Sequence, residues 1–423
     1  MKLGISLGAL AGLQLLASLA LQLVVLRLVG AGALTDAYMA AQTLPILLVA
    51  VLATPLQALW QPRLAVAASG RAQWRAQQGL AQTQVLWLVG GTALAAAASA
   101  PQWLPRLFPG LPVSTHSVAV DITRVLCVGA LLNSHALLLT VALRAQERLV
   151  IAEVVTTAGA LAAVAAAVSL VPQTGVMGAA YIGAARAAVV CAVLYFLADR
   201  PLLASARALS AGNAWHPLRP LLTGTSIYKL SPLVDRYWGS LAPVGGLTLL
   251  TLSQTGIGAV AQMVERAVCM PVTPQLARLA QGAQYGQMRA LIRDRITRVT
   301  LIVGMALLML VLVRPAWPAA LNSALHLSEA SAVQMWWICL LLLGYLHVAA
   351  AGALPMAAFI ALGDSRTPVR IGVIGFVVGI GLKSVGFVVA GLPGLALATS
   401  LYYAANLLVM WRVLESRLEA RIA

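Results

Sequence analysis

The sequence predicts an all-α polytopic membrane protein of about twelve transmembrane helices in two six-helix lobes, with both termini cytoplasmic. Three observations carry that reading. The first is composition: of 423 residues, 61% are hydrophobic and only 9% charged, with a mean hydropathy of +0.90, whereas a soluble domain carries roughly 25% charged residues. The second is the length of the apolar runs. A spanning helix needs about 20 such residues, and twelve stretches meet that need, with cores near 5–28, 37–61, 78–100, 120–143, 149–171, 176–198, 219–242, 247–274, 296–313, 333–361, 371–390 and 393–411. The third is the alternation of basic residues from loop to loop. With Lys2 inside, 19 of the 28 Lys and Arg residues fall on the cytoplasmic side and three (Arg27, Arg106, Arg314) on the outer side, leaving six at membrane depth, as the positive-inside rule requires. The net charge of +16 is therefore a topology signal, and no nucleic-acid partner is implied.

In order along the chain, the first span lacks the short apolar core and cleavage site of a signal peptide and reads as a retained helix. A glycine-rich turn, with Asp36 at the outer mouth, leads to a second span that Pro45 and Pro55 can kink or open. The longest outer segment, PQWLPRLFPGLPVSTHS at 101–117, has the Pro, Trp and Leu content of an interfacial segment. Asp121 and Arg124, three residues apart at the start of the fourth span, form a local ion pair. The hydrophilic stretch 199–219 divides the chain nearly in half, so 1–200 reads as an N-terminal lobe, 201–218 as a cytoplasmic linker and 219–423 as a C-terminal lobe. Residues 288–298, with Arg289 and Arg293 one helical turn apart, read as a surface helix near anionic headgroups or as a solvated loop. The halves appear twice over: Gln42-Thr43 and Pro62 recur as Gln254-Thr255 and Pro274 at an offset of 212, and 144–175 matches 363–394 at an offset of 219. Such a duplication means two parallel six-helix bundles, the plan of transporters that bind substrate between their repeats.

The stretch 223–278 draws most of the chemistry. It crosses the bilayer twice yet carries Lys229, Asp235, Arg236, Glu265 and Arg266, and a charge at that depth is a functional hypothesis by default. Lys229 and Arg236 are seven residues apart, on one helix face, and together present positive charge to an anion. Arg186 and Lys383, each in an otherwise apolar span, complete the set of cations. Asp235 either neutralises Arg236 or, with Glu265 and Asp36, serves ion coupling or gating. His135 and His347 lie within spans and read as satisfied core histidines. The four cysteines have no metal-ligand spacing. No phosphate-binding loop, no HExxH and no paired carboxylates occur, so the chain is not an enzyme and does not pump with ATP by itself.

Several stretches resemble the MurJ-type lipid II flippases of the MOP exporter superfamily: VGAGALTDAYMAAQTLP at 29–45, LVDRYWGSLAPVGGLTLL at 233–250, PVTPQLARLA at 271–280, FIALGDSRTPVRI at 359–371 and GLPGLALATSLYYAANLLVMW at 391–411. They run in family order across nearly the whole chain. The resemblance implies a MOP/MATE-like, two-lobed, twelve-span core with its N-terminus inside, in the bacterial inner membrane. It also implies a flippase that moves an undecaprenyl-pyrophosphate-linked saccharide, lipid II or a related polysaccharide unit, by alternating access. Such flippases usually have fourteen spans, so this chain reads as the core without the final pair, which in the family helps form a lipid-facing groove. The family also carries cavity arginines on its first, second and eighth spans, and at those places stand Leu15, Leu21, Val49 and Thr255. The remaining cations, Lys229, Arg236, Arg266, Arg186 and Lys383, are then the candidates for the pyrophosphate, for which guanidinium and ammonium groups are natural partners. Expected partners are the lipid-linked saccharide, the phospholipid bilayer and envelope biosynthesis proteins. No cofactor is expected beyond coupling to the membrane potential, H+ or Na+. Two other functions stay open: a MATE-like cation-coupled exporter, which favours cavity carboxylates, and a non-transporting membrane scaffold of an envelope polysaccharide system, whose charges would pair with one another.

Overall fold

A chain in hydrocarbon must satisfy its own backbone N–H and C=O groups, which selects helices. The computed structural model describes residues 2–67, 70–204, 218, 222, 228–364 and 366–422, and every regular element among them is helical. Nine of these helices are long and apolar enough to cross a membrane. Two of the nine are pairs of spans: Leu149–Leu197 breaks at Gly175, and Arg366–Ile422 breaks at Ala390 and Gly391. Eleven of the twelve expected crossings are thus present among the described residues. The other, expected over 219–242, is described at residue 222 and from 228 onward, where a 3₁₀ turn, Tyr228–Leu230, leads into the helix Ser231–Ser240. The expected linker lies mostly outside the described residues, which omit 205–217. The chain is a multi-pass membrane protein.

Contacts divide the chain into two units, Met1–Thr248 and Leu249–Ala423. The first is built around the fourth span, Val113–Ala145. Leu138, Val141 and Ala142 meet Leu56, Trp60, Val85 and Val89 of the second and third spans on one side. Leu139 and Leu143 meet Ala152, Val190 and Leu194 on the other. In the second unit, Met288, Ile292, Leu354, Phe359, Leu414 and Leu418 form the core.

One local expectation changes. Residues 288–298 are no separate surface helix; they open the continuous helix Tyr285–Leu312, with Met288 and Ile292 fully buried. The arginines beside them have carboxylate partners in place of headgroups: Arg289 Nη2 lies 2.6 Å from Glu415 and 2.7 Å from Glu419, and Arg293 also pairs with Glu415. The outer segment 101–117 packs one face on the protein and leaves Pro101, Gln102, Arg106 and Pro109 exposed. Leu104 and Phe108 are fully buried, and Gly110 sits so close to the Ser240 carbonyl that a Cβ there would lie 1.9 Å from its oxygen. The Asp121–Arg124 pair forms as expected, at 3.2 Å and exposed to the surroundings.

The duplication is present inside the two halves, in a different register from the sequence matches. The π-helical turns Val49–Ala53 and Glu265–Cys269 stand 216 residues apart. The same offset relates the spans Val113–Ala145 and Glu329–Ala361, the left-handed turn residues Glu147 and Gly363, and the breaks Gly175 (φ 60°) and Gly391 (φ 59°). Offsets of 212 and 219 miss this by four and three residues, about one helical turn of 3.6 residues. A slip of one turn keeps the same helix face, so short matches between apolar spans cannot exclude it.

Candidate substrate cavity and the buried charges

The second span changes pitch midway. Between Pro45 and Pro55 the backbone widens into the π-turn Val49–Ala53, and such turns are frequent at functional sites. Val49 and Ala50 there form part of the wall of a cavity of 480 Å³ within the first unit. Its polar lining comes from four spans: Ser18 and Gln22 from the first, Tyr38, Gln42 and Thr54 from the second, Asn133 from the fourth and Arg186 from the sixth. Arg186 is the one charged residue among them, and among the described residues it has no ion-pair partner. The Gln22 Oε1 is buried without a hydrogen bond. Glycine brings these helices together: at Gly129 a Cβ would stand 3.3 Å from the Ala184 Cα, so the fourth and sixth spans approach backbone to backbone.

Lys229 and Arg236 do share a face, and both turn it to the second span. Lys229 Nζ donates to the Ala50 carbonyl at 2.8 Å. Arg236 Nη1 donates to the Met39 carbonyl at 3.1 Å and to Thr43 Oγ1 at 2.9 Å. These hydrogen-bond partners are neutral, while the neighbouring Asp235 carboxylate attracts Arg236 electrostatically; neither cation is among the lining of the cavity, although Ala50 is. Asp235 is buried on the same helix. Asp36, also buried, is an acceptor at a helix start: its Oδ2 takes the Gly245 N–H at 2.6 Å, and its Oδ1 takes the N–H and hydroxyl of Thr248 at 2.8 and 2.6 Å. A carboxylate at a helix N-terminus satisfies donors that the helix leaves unpaired.

The other three candidates belong to the second unit. Glu265 is half-buried and Arg266 exposed on the second π-turn. Lys383 is 1% exposed, with Nζ 5.6 Å from the centre of the Tyr402 ring, a cation–π arrangement. The structure therefore brings Lys229, Arg236 and Asp36 to the second span, puts Arg186 in the cavity, and places Glu265, Arg266 and Lys383 apart from these. The histidines have side-chain partners: His135 Nδ1 lies 2.5 Å from Gln82 Oε1, and His347 Nε2 lies 2.9 Å from Thr300 Oγ1. No group of three or more His, Cys, Asp or Glu among the described residues could hold a metal ion.

The neutral polar lining was not singled out from sequence. Ser18, Gln22, Gln42 and Asn133 are scattered over three spans, and their one sequence signal is that each interrupts an apolar run. Outside the spans, the GDSRTP turn is organised by Asp364, which accepts from the N–H groups of Arg366 and Thr367 at 3.0 Å and from Thr367 Oγ1 at 2.6 Å, and which pairs with Arg417. The Thr367 hydroxyl and N–H, and then Arg417, hold its carboxyl well below the usual carboxylate range.

Comparison with known proteins follows the same lines. Residues 25–423 match the family profile described as lipid II flippase MurJ. No curated protein matches the sequence. Among solved structures, the lipid II flippase MurJ in an inward closed conformation is similar with a TM-score of 0.82 at 12% identity, over 97% of this chain and 87% of that one. An inward-facing multidrug resistance MATE family transporter of the MOP superfamily gives 0.78 at 15% identity, over 96% and 95%. A MOP superfamily transporter from Pyrococcus furiosus, described as having a binding pocket of reverse polarity, gives 0.66 at 15% identity, over 100% and 96%. At these identities the structural likeness shows the fold.

Proposed function

The chain belongs to the lipid II flippase MurJ family, and from that premise we propose that it carries an undecaprenyl-diphosphate-linked saccharide, lipid II or a related polysaccharide unit, across the bacterial inner membrane by alternating access. It is a transporter and not an enzyme. The observation that carries the reading is the lone arginine of the first-unit cavity. Leu21 and Val49, which stand where the family resemblance implies arginines, line the same cavity as Arg186. The cation has thus moved from the first and second spans to the sixth while still serving one chamber. A guanidinium in a site of low dielectric suits a diphosphate, which it can meet with two parallel hydrogen bonds. The Gln22, Gln42 and Asn133 amides supply further donors. A cation exporter of the MATE type would call for a carboxylate, and the cavity lining has none.

Lys229 and Arg236 hold the edge of the same span through backbone carbonyls, so they join this site as positioning groups that set the π-turn beside the substrate. Energy comes from the membrane potential: outward movement of anionic charge is favoured by roughly 2.3 kcal/mol per charge per 100 mV. The partners are the membrane enzymes that make and use the lipid-linked saccharide.

Complementation in cells depleted of their own lipid II flippase tests the assignment. The wild-type chain should restore growth, Arg186→Lys should retain partial rescue, and Arg186→Ala should lose it at equal membrane abundance. A well-inserted wild-type chain that fails to rescue excludes lipid II and leaves the related polysaccharide units. Full rescue by Arg186→Ala removes the cavity arginine from the mechanism.

A further inference from the structure

A second hollow meets the cavity at Arg186. Between the fifth and sixth spans runs a groove of 410 Å³, floored by Gly159, Ala162, Ala163 and Ala166 on one helix and by Gly178, Ile182 and Ala185 on the next. Apart from Thr174, the Tyr181 hydroxyl and Arg186, nothing polar lines it. Arg186 is the sole charged residue of this groove, as it is of the polar cavity, and the two hollows have no other lining residue in common. The sixth span explains why: Gly183 and Ala187 face the cavity, Ile182, Ala185 and Val189 face the groove, and Arg186 lies on the seam. Gly159 opposite has no side chain to block it; a Cβ there would already stand 3.7 Å from the Arg186 Cγ.

We propose that this groove seats the polyisoprenyl tail of a lipid-linked diphosphate while Arg186, at the seam, holds the diphosphate at the entrance to the polar cavity. The inference rests on the transport reading above and adds where the tail lies. A molecule that is a long hydrocarbon on one side of a diphosphate and a sugar on the other needs an apolar channel and a polar chamber that meet at a cation. That is the arrangement around Arg186. Tyr181 and Leu170 are exposed at the groove, which leaves it open for a chain to enter sideways from the bilayer. The small residues of the floor leave room for a methyl-branched polyisoprenyl chain to lie against the helix backbones, in the way small residues let two helices approach.

The test uses the purified full chain in detergent and three probes: undecaprenyl diphosphate, geranyl diphosphate and inorganic pyrophosphate. The wild-type chain should bind undecaprenyl diphosphate at least about tenfold more tightly than geranyl diphosphate, since each additional buried methylene is favourable. Ala162→Phe and Ala166→Leu, which fill the groove from exposed and half-buried positions, should abolish that difference while leaving inorganic pyrophosphate binding unchanged. Val168→Phe, exposed on the same helix outside the groove, should leave both unchanged and controls for folding. Arg186→Gln should weaken all three probes. Preserved discrimination in both groove-filling variants, or equal affinity of the wild type for the two lipids, overturns the tail site and leaves the transport reading standing. Failure of the wild type to bind any diphosphate overturns that reading and the tail site with it.

Discussion

Asp36 accepts three hydrogen bonds from a helix start more than two hundred residues away, so its loss leaves two backbone N–H groups and a hydroxyl unpaired in a buried place. Asp36→Ala should therefore destabilise the protein by about 2–3 kcal/mol, the range for a hydrogen bond to a charged group whose partner stays buried, read as a lowered melting temperature in detergent. Thr248→Val should cost less, because the two N–H donors keep their acceptor. Asp364 gives a pH dependence of known sign. Its folded-state acidity is held below the ordinary value by Thr367 and Arg417, so it contributes stability that is present above the unfolded pKa of about 3.9 and disappears as the pH falls towards the folded value. Asp364→Asn should lower stability at neutral pH and remove that part of the acid loss below about pH 4, measured as melting temperature against pH. At this scale the sequence was most legible for charge in an apolar run: Arg186, Lys229 and Lys383 were all visible. What each one faces was not, because that depends on which spans pack together. Lys229 and Arg236 could be put on one face by their spacing alone; that the face meets backbone carbonyls of the second span, Ala50 in its π-turn and Met39 before it, is invisible in composition.

The elements were legible in number and blurred at their ends. Apolar length gave the crossings, while the helix Tyr285–Leu312 extends some ten residues beyond the expected span, because Glu415 and Glu419 compensate arginines that a bare sequence assigns to a loop. The paired breaks show what the repeat preserves. Gly175 has φ 60° and ψ −147°, and Gly391 has φ 59° and ψ −141°, a region open essentially to glycine alone. A Cβ at either would meet nothing within 4 Å, so the requirement is purely conformational. Gly175→Ala and Gly391→Ala should each cost about 1–3 kcal/mol, and the two costs should agree, since the backbone is the same and no packing differs. Thermal unfolding of both variants checks this; a loss at one site only would mean that neighbouring side chains, and not the backbone, set the glycine. The π-turns Val49–Ala53 and Glu265–Cys269 recur at the same offset, although Val-Ala-Val-Leu-Ala and Glu-Arg-Ala-Val-Cys share no residue in register. Geometry has outlasted chemistry there, and this is why the sequence alone slipped the alignment by a turn.

Across the whole molecule, topology rests on counting crossings, and the count turns on one stretch. The helix Ser231–Ser240 has ten residues, about 15 Å at 1.5 Å per residue, half of a hydrocarbon core of roughly 30 Å. A full seventh crossing needs the residues before it, where 219–230 reads RPLLTGTSIYKL, with Arg219 at its start and Lys229 near its end. Single cysteines, placed after replacing the four native ones, decide the matter. Glu147 and Gln173 are exposed at the ends of the fifth span; with arginines beside it, Glu147→Cys should react with a membrane-impermeant maleimide only after permeabilisation, and Gln173→Cys should react on intact cells. Between Gln173 and Gln281 the prediction requires three crossings, the sixth, seventh and eighth, so Gln281→Cys must be protected where Gln173→Cys is labelled. If both react from outside, the stretch before Ser231 does not cross. The second half would then be inverted relative to the first, contrary to the parallel bundles that the repeat and the alternation of basic residues lead the sequence to predict.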